Sequence, residues 1–212
     1  MKYQDGRPEN EFTGTSTAER SAYLTGFVTE RGNPRNKRGI AEVIVDMPAP
    51  ILSGGVVLID TPGIGSTYRH NTAATLNFLR QCDAALFLVS ADPPITEVEL
   101  EFLRQVREKV PQLFFVLNKI DYLDDRELEE AVSFYKRILA EEAGWNGKFP
   151  VFCVSARDGM KARATADSRR WVDSGMAPLE SFLVDFLARE KFHALMDAVL
   201  RRAMDFIGAV LM

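Results

Sequence analysis

The stretch Gly55-Val56-Val57-Leu58-Ile59-Asp60-Thr61-Pro62-Gly63 constrains this chain most. An apolar run without polar alternation stops abruptly at a carboxylate and a turn. Such a run suits a central parallel strand covered on both faces, and Pro62-Gly63 ends it with turn chemistry. Asp60 is thereby expected at the carboxyl end of a strand, where open α/β sheets bind ligands.

A carboxylate there, followed by a side-chain-free residue, is what a nucleoside triphosphate site needs beside its terminal phosphate. Asp60 can hold a hydrated Mg²⁺ through water. Gly63 leaves its backbone N–H open to a phosphate oxygen in a turn that can move when that oxygen leaves. The plainer reading is an Asp capping the next turn.

Two later stretches repeat the pattern. Leu113 to Leu117 runs into Asn118-Lys119-Ile120-Asp121, and Val151 to Val154 runs into Ser155-Ala156. In order, the three resemble the DxxG, NKxD and SA motifs of GTPases. The chemistry suits guanine. An ionised Asp121 accepts from two adjacent N–H donors on the guanine edge, which adenine does not offer. Lys119 can lay its aliphatic stem along the ring, Asn118 can tie neighbouring loops, and the Ala156 N–H can donate to the guanine carbonyl.

Composition narrows the alternatives. With 212 residues, 46% of them hydrophobic, the chain can build one sizeable core. A net charge of −4 gives no basic field for nucleic acid, so a nucleic-acid partner is not expected. Cys82 and Cys153 sit in or beside apolar segments without ligand spacing, as buried free thiols do in a reducing compartment. No apolar run approaches the roughly 18 residues of a membrane span, and the polar start is no signal peptide.

Around these motifs the pattern predicts a doubly wound α/β fold with a mainly parallel sheet. A strand fragment at residues 1–4 leads to a polar loop, and the capping box Ser16-Thr17-Ala18-Glu19 opens a helix over about 17–31. Ala41, Val43 and Val45 alternate as a half-exposed strand, expected to form an antiparallel edge hairpin with the run at Val56 to Ile59. Helical spacing recurs over 71–81, after the second capping box Thr96-Glu97-Val98-Glu99, and from Leu128 to Leu139. Ala84 to Val89 reads as another buried strand. Residues 157–177 read as polar and irregular, with Arg163, Arg169 and Arg170 as a solvated face rather than a phosphate site. Pro178 opens a helix. From Phe192 to Val210 an apolar stripe with a period of about 3.5 suggests a bundle helix. His70, His193 and the methionines Met196, Met204 and Met212 read as surface or packing residues.

The chain resembles the GTPase domain of bacterial dynamin-like proteins. The likeness rests on Leu58 to Ser66, on Ser90-Ala91-Asp92-Pro93-Pro94-Ile95-Thr96-Glu97, on Asn118 to Asp121 and on Val154-Ser155-Ala156-Arg157. It implies a P-loop GTPase fold, with residues 1–190 as the GTPase domain and 191–212 as the start of a helical stalk. Asp60, Thr61 and Gly63 would form the switch, with Asp60 on Mg²⁺ through water and Gly63 at the γ-phosphate. Asn118, Lys119, Asp121, Ser155 and Ala156 would hold the base. The implied ligands are GTP or GDP with Mg²⁺, and the implied partners are further copies of the chain and membrane lipids. The implied place is cytoplasmic, peripheral to a membrane.

One departure matters. No G-x-x-x-x-G-K-[ST] occurs, and the only Gly-Lys pair, Gly147-Lys148, precedes Phe149. The family carries its phosphate loop, first strand and first helix before the segment resembling residues 1–5. This chain alone is therefore expected neither to bind GTP tightly nor to hydrolyse it, to hold no bound cofactor, and to self-associate through exposed sheet edges or the terminal helices. Ile64 stands where many small GTPases carry a water-orienting glutamine and cannot polarise water. Two other readings stand beside this one: an assembly-type GTPase acting on ribosomes, and a non-catalytic scaffold that has lost its phosphate loop.

Overall fold

The computed structural model describes residues 1–14, 16–29, 31–52, 55–61, 78–79, 81–92, 95–141, 144 and 149–190. The chain divides into two compact units, Met1–Gly55 and Val56–Met212. The stripe beyond residue 190, the switch turn at Pro62-Gly63 and most of the helix expected over 71–81 lie outside the described residues.

In the first unit, strand β1 (Lys2–Tyr3) pairs antiparallel with strand β2 (Ile40–Glu42). Lys2 donates to Glu42 at 2.9 Å across the pair. Between them runs helix α1 (Thr17–Val28), whose capping box forms as its sequence predicts: Ser16 Oγ accepts from Glu19 N, and Glu19 accepts from Ser16 N.

The second unit holds a parallel sheet in the order β3 (Ala84–Ser90), β4 (Gln112–Asn118), β5 (Val151–Val154). Helix α2 (Glu97–Arg107) links the first two strands and α3 (Asp125–Glu141) the last two. Helices α4 (Ala156–Thr165), α5 (Ser168–Asp173) and α6 (residues 176–190) follow. In register, Ser90 faces Asn118 and Asn118 faces Val154, so the three carboxyl ends align.

Alternation along the strands sends Phe87, Val89, Phe115 and Leu117 to one face, where Phe102, Leu103 and Val106 of α2 and Tyr135 and Leu139 of α3 bury them. The other face is covered by α6. Val116 and Val154 pack on Leu179 and Leu183, and Phe114 meets Phe182 and Phe186 edge-on at 4.8 and 4.9 Å. Helices on both faces make the sheet doubly wound, as expected from its apolar strands. The second cover is incomplete at β3, where Leu86 and Leu88 are 38% and 56% exposed.

Three expectations need correction. Residues 56–61 form no strand, and Val57, Leu58 and Ile59 are 76%, 65% and 44% exposed. A strand exists only as part of a ladder, and among the described residues nothing pairs with this run. The antiparallel hairpin is accordingly not between Ala41–Val45 and Val56–Ile59: β2 finds its partner in β1. Third, 157–177 is helical rather than irregular. The two helices carry few large apolar residues, and α4 buries only Gly159 and Ala162, so no apolar stripe marks them. Their signals are the caps: Ser155 accepts from Asp158 N and Asp167 accepts from Arg170 N.

Candidate functional site

The aligned carboxyl ends of β4 and β5 bring two of the three motifs together. After Asn118 the backbone turns sharply at Lys119, which is left-handed (φ 69°, ψ 32°). For a residue with a Cβ this costs roughly 1–2 kcal/mol, a kind of strain that clusters at functional positions. The turn Ile120–Tyr122 then carries Asp121 back toward the end of β5.

Asn118 Oδ1 accepts from Lys119 N at 2.8 Å and from Ala156 N at 3.1 Å, tying the two loops together. The Ala156 N–H, read from sequence as a donor to a ligand carbonyl, is thus engaged by Asn118 here. Ser155 is 2% exposed and donates its hydroxyl to Asp121 Oδ1 at 2.6 Å. Its own N–H donates to Ser174 O at 2.8 Å. That contact depends on Gly175, whose φ is +72°; a Cβ there would stand 1.9 Å from the Cys153 carbonyl oxygen.

Asp121 is the most enclosed charge of the cluster, its side chain 9% exposed. Its Oδ2 is buried and accepts no hydrogen bond. The group that meets it is the Arg157 guanidinium, at 2.5 Å. In the sequence Arg157 stands out only as the residue after Ser155-Ala156, with no role of its own. Next to it, the Asp158 carboxyl lies below the usual carboxylate range: burial pushes it up, but Lys161, Ser155 and Arg157 together pull it further down.

Asp60 is exposed in non-strand backbone and Thr61 is half-buried; Gly63 lies outside the described residues. Among the described residues no group of three or more His, Cys, Asp or Glu could hold a metal ion. A cavity of about 510 Å³ is lined by Asp121 and Ser155 together with Leu123 and Asp125 near the start of α3 and Arg169 and Arg170 of α5. Asn118, Lys119 and Ala156 do not line it, so this cavity and the motif cluster share the Asp121–Ser155 pair only. Arg163, Arg169 and Arg170 are exposed, as expected of a solvated face, and two of them also make local pairs. Arg163 pairs with Glu180 and rests 4.1 Å over the Trp171 ring, and Arg169 pairs with Asp173 at 3.8 Å. Cys82 and Cys153 are free thiols, both pushed up chiefly by burial and so poor nucleophiles.

A parallel sheet with helices on both faces, and a buried acid presented at its carboxyl edge by Asn-Lys-x-Asp and Ser-Ala, defines a nucleotide-binding α/β domain. The model of the elongation factor Tu GTP binding domain matches residues 14–204, and the chain belongs to this GTPase family, among its dynamin-like members. It is 38% identical over 165 residues to an uncharacterized protein in the xynA 3′ region of Caldicellulosiruptor sp. (strain Rt8B.4), covering 78% of this chain and 41% of that protein. It is 34% identical over 155 residues to a probable transmembrane GTPase, FZO-like, chloroplastic, of Arabidopsis thaliana, covering 66% and 17%. With dynamin-like protein 1 of Campylobacter jejuni the identity is 25% over 158 residues, covering 70% and 21%. The chain thus spans less than half the length of these relatives.

Proposed function

We propose that this chain carries the base-reading and switch segments of a dynamin-like GTPase which, as a whole protein, binds and hydrolyses GTP to drive self-assembly and membrane remodelling. The observation that carries the reading is the Asp121 carboxylate, held by Ser155 on one oxygen, with the other buried, without a hydrogen bond and faced by the half-exposed Arg157 guanidinium. A buried carboxylate oxygen in that state is set to accept from a ligand donor. Guanine offers two adjacent N–H groups to such an edge, and charge-assisted pairing fixes its orientation. Asn118 and Ala156 would frame the ring, and the Lys119 stem would cover it.

Asp60, an exposed hard oxygen donor, fits Mg²⁺ held through water, with Thr61 and Gly63 following in the switch. When bound, Mg²⁺ would neutralise charge on the phosphate oxygens. The cradle that neutralises the rest is the G-x-x-x-x-G-K-[ST] loop, which residues 1–212 do not contain. Each charged hydrogen bond lost is worth roughly 1.5–3 kcal/mol. We infer that this chain alone neither binds GTP tightly nor hydrolyses it.

The exposed apolar residues Leu86, Leu88, Val57 and Leu58 support self-association of the chain. A strictly monomeric mass by light scattering across a tenfold dilution series would count against it. Among the described residues no helix is long and apolar enough to cross a membrane. We place the whole protein in the cytoplasm, at a membrane surface that it meets through segments outside this chain.

The test is GTP hydrolysis, with and without liposomes, by this chain and by a version extended upstream in its own reading frame. Turnover confined to the extended form supports the reading. Micromolar GTP affinity of the present chain by calorimetry would refute its inactivity. Absence of turnover in both forms would favour a scaffold that has lost catalysis.

A further inference from the structure

The pairing at Asp121 carries a consequence for how the base enters and leaves. We propose that Arg157 is an internal competitor for the guanine site: its guanidinium occupies Asp121 Oδ2 when the site is empty and must be displaced before a base can be read. The inference rests on the base-reading role assigned to Asp121.

The geometry supports it from three directions. Asp121 Oδ1 is already engaged by the Ser155 hydroxyl at 2.6 Å. Oδ2 is buried, and its cover is the Arg157 guanidinium at 2.5 Å. The Asp121 side chain is 9% exposed and that of Arg157 52%, so of the two it is the arginine that has room to move. A donor approaching Oδ2 therefore meets a mobile cation in front of an enclosed anion.

Arg157 also has a second contact, made at the same time as the ion pair. Its guanidinium lies over the ring of Tyr122, 5.3 Å from the centroid, and Tyr122 is 62% exposed. A cation over an aromatic face keeps part of its stabilisation when its carboxylate partner is taken. Ser155 and Asn118 have no such alternative, being bound into the loops they hold together.

The arrangement solves a problem of the empty site. A buried carboxylate without a counter-charge is costly, and Arg157 supplies that charge until a ligand brings donors of its own. Guanine, with two adjacent donors, can replace it. Adenine, which presents an acceptor at the corresponding ring nitrogen, cannot. As the base departs, Arg157 recaptures the carboxylate. It thus lowers guanine affinity and speeds release without touching the phosphates.

The experiment is an NMR titration of the whole chain with GMP and, in parallel, AMP, on the natural protein and on Arg157→Gln and Arg157→Lys. GMP keeps the base and omits the β- and γ-phosphates, so its binding does not depend on the phosphate loop. Circular dichroism checks that each variant is folded. Removing a competing, partly exposed ion pair should tighten GMP binding about three- to tenfold in Arg157→Gln. Arg157→Lys should fall between, and AMP should be unchanged. In the natural protein the Arg157 Nε–H signal should shift on adding GMP. GMP binding that is unchanged or weaker in Arg157→Gln would overturn the competitor while leaving Asp121 as the reader. No response of any form to GMP would overturn the base-reading role itself, and the competitor with it.

Discussion

Two apolar runs of similar composition, Val56–Ile59 and Leu113–Leu117, meet opposite fates. The second becomes β4, flanked by β3 and β5, with Phe115, Val116 and Leu117 at most 2% exposed. The first stays out of any ladder and exposes Val57, Leu58 and Ile59. Side-chain character is nearly the same in both. What differs is whether strands stand on either side to receive the backbone N–H and C=O groups. An apolar run is a necessary condition for a buried strand; neighbours complete it.

The same contrast separates the two ends of the proposed nucleotide site. At the base-reading end, Asn118, Asp121 and Ser155 are held by bonds between the two loops. At the switch end, Asp60 stands exposed at the end of the run that lacks a ladder. Guanine reading is therefore expected to be preorganised and phosphate chemistry is not.

The sharpest way to break that comparison is at Asp121. Asp121→Asn replaces one acceptor by a donor, so guanine loses one charge-assisted bond and faces a donor with its own. GMP binding should fall at least a hundredfold. Xanthosine monophosphate, which presents an acceptor in place of the guanine amino group, should gain affinity in the same NMR titration. Equal affinity for GMP before and after the change would remove Asp121 from the site.

Next in size is a pair of leucines. Leu103 is fully buried beneath the sheet, and Leu103→Ala should cost about 2–5 kcal/mol in urea unfolding. Leu88, 56% exposed on β3, should cost under about 0.5 kcal/mol when changed to Ala. A large cost at Leu88 would mean that a cover buries it in solution.

Tyr135 sharpens the account of the well-packed half, because it is an exception within it. It is 1% exposed, its hydroxyl has no partner among the described residues, and burial, with some help from Glu99, holds its phenol far above the usual range. Tyr135→Phe removes an unsatisfied group at equal shape and should leave stability unchanged or raise it by about 1 kcal/mol. A loss of that size would show a partner for the hydroxyl.

The smallest effect concerns Asp158, whose folded value lies below the ordinary 3.8. Its ionised form is favoured by folding, so that contribution is present above the unfolded value and disappears as pH falls through the folded one. Asp158→Asn should flatten the acid limb of a stability–pH profile slightly, with a small loss of stability near neutrality and none at the acid end.

Sequence alone placed β3, β4 and β5 to within a residue, because each is an apolar run bounded by polar turns. Both capping boxes formed because their bonds span only three residues and need no tertiary partner. What escaped were features decided by distant neighbours. Helix α4 buries only Gly159 and Ala162 and α5 buries no residue, so the periodicity that reveals α2 and α3 is absent from both. The partner of β2 lies 37 positions away, at Tyr3↔Ile40. The link between Arg157 and Asp121 depends on how two loops meet, and the sequence states only that both residues exist.

Gly175 belongs to none of the predicted ligand-binding motifs, yet through its neighbour Ser174 it settles where Ser155 can be. With its φ of +72° and no room for a methyl against Cys153, it works like a dowel that registers one machined part against another. Accuracy at the Asp121 carboxylate is inherited from this joint through Ser174, Ser155 and a single hydroxyl bond. A survey of variants confined to the base-reading motifs would pass over it, although a single added carbon at position 175 would knock the reader out of true.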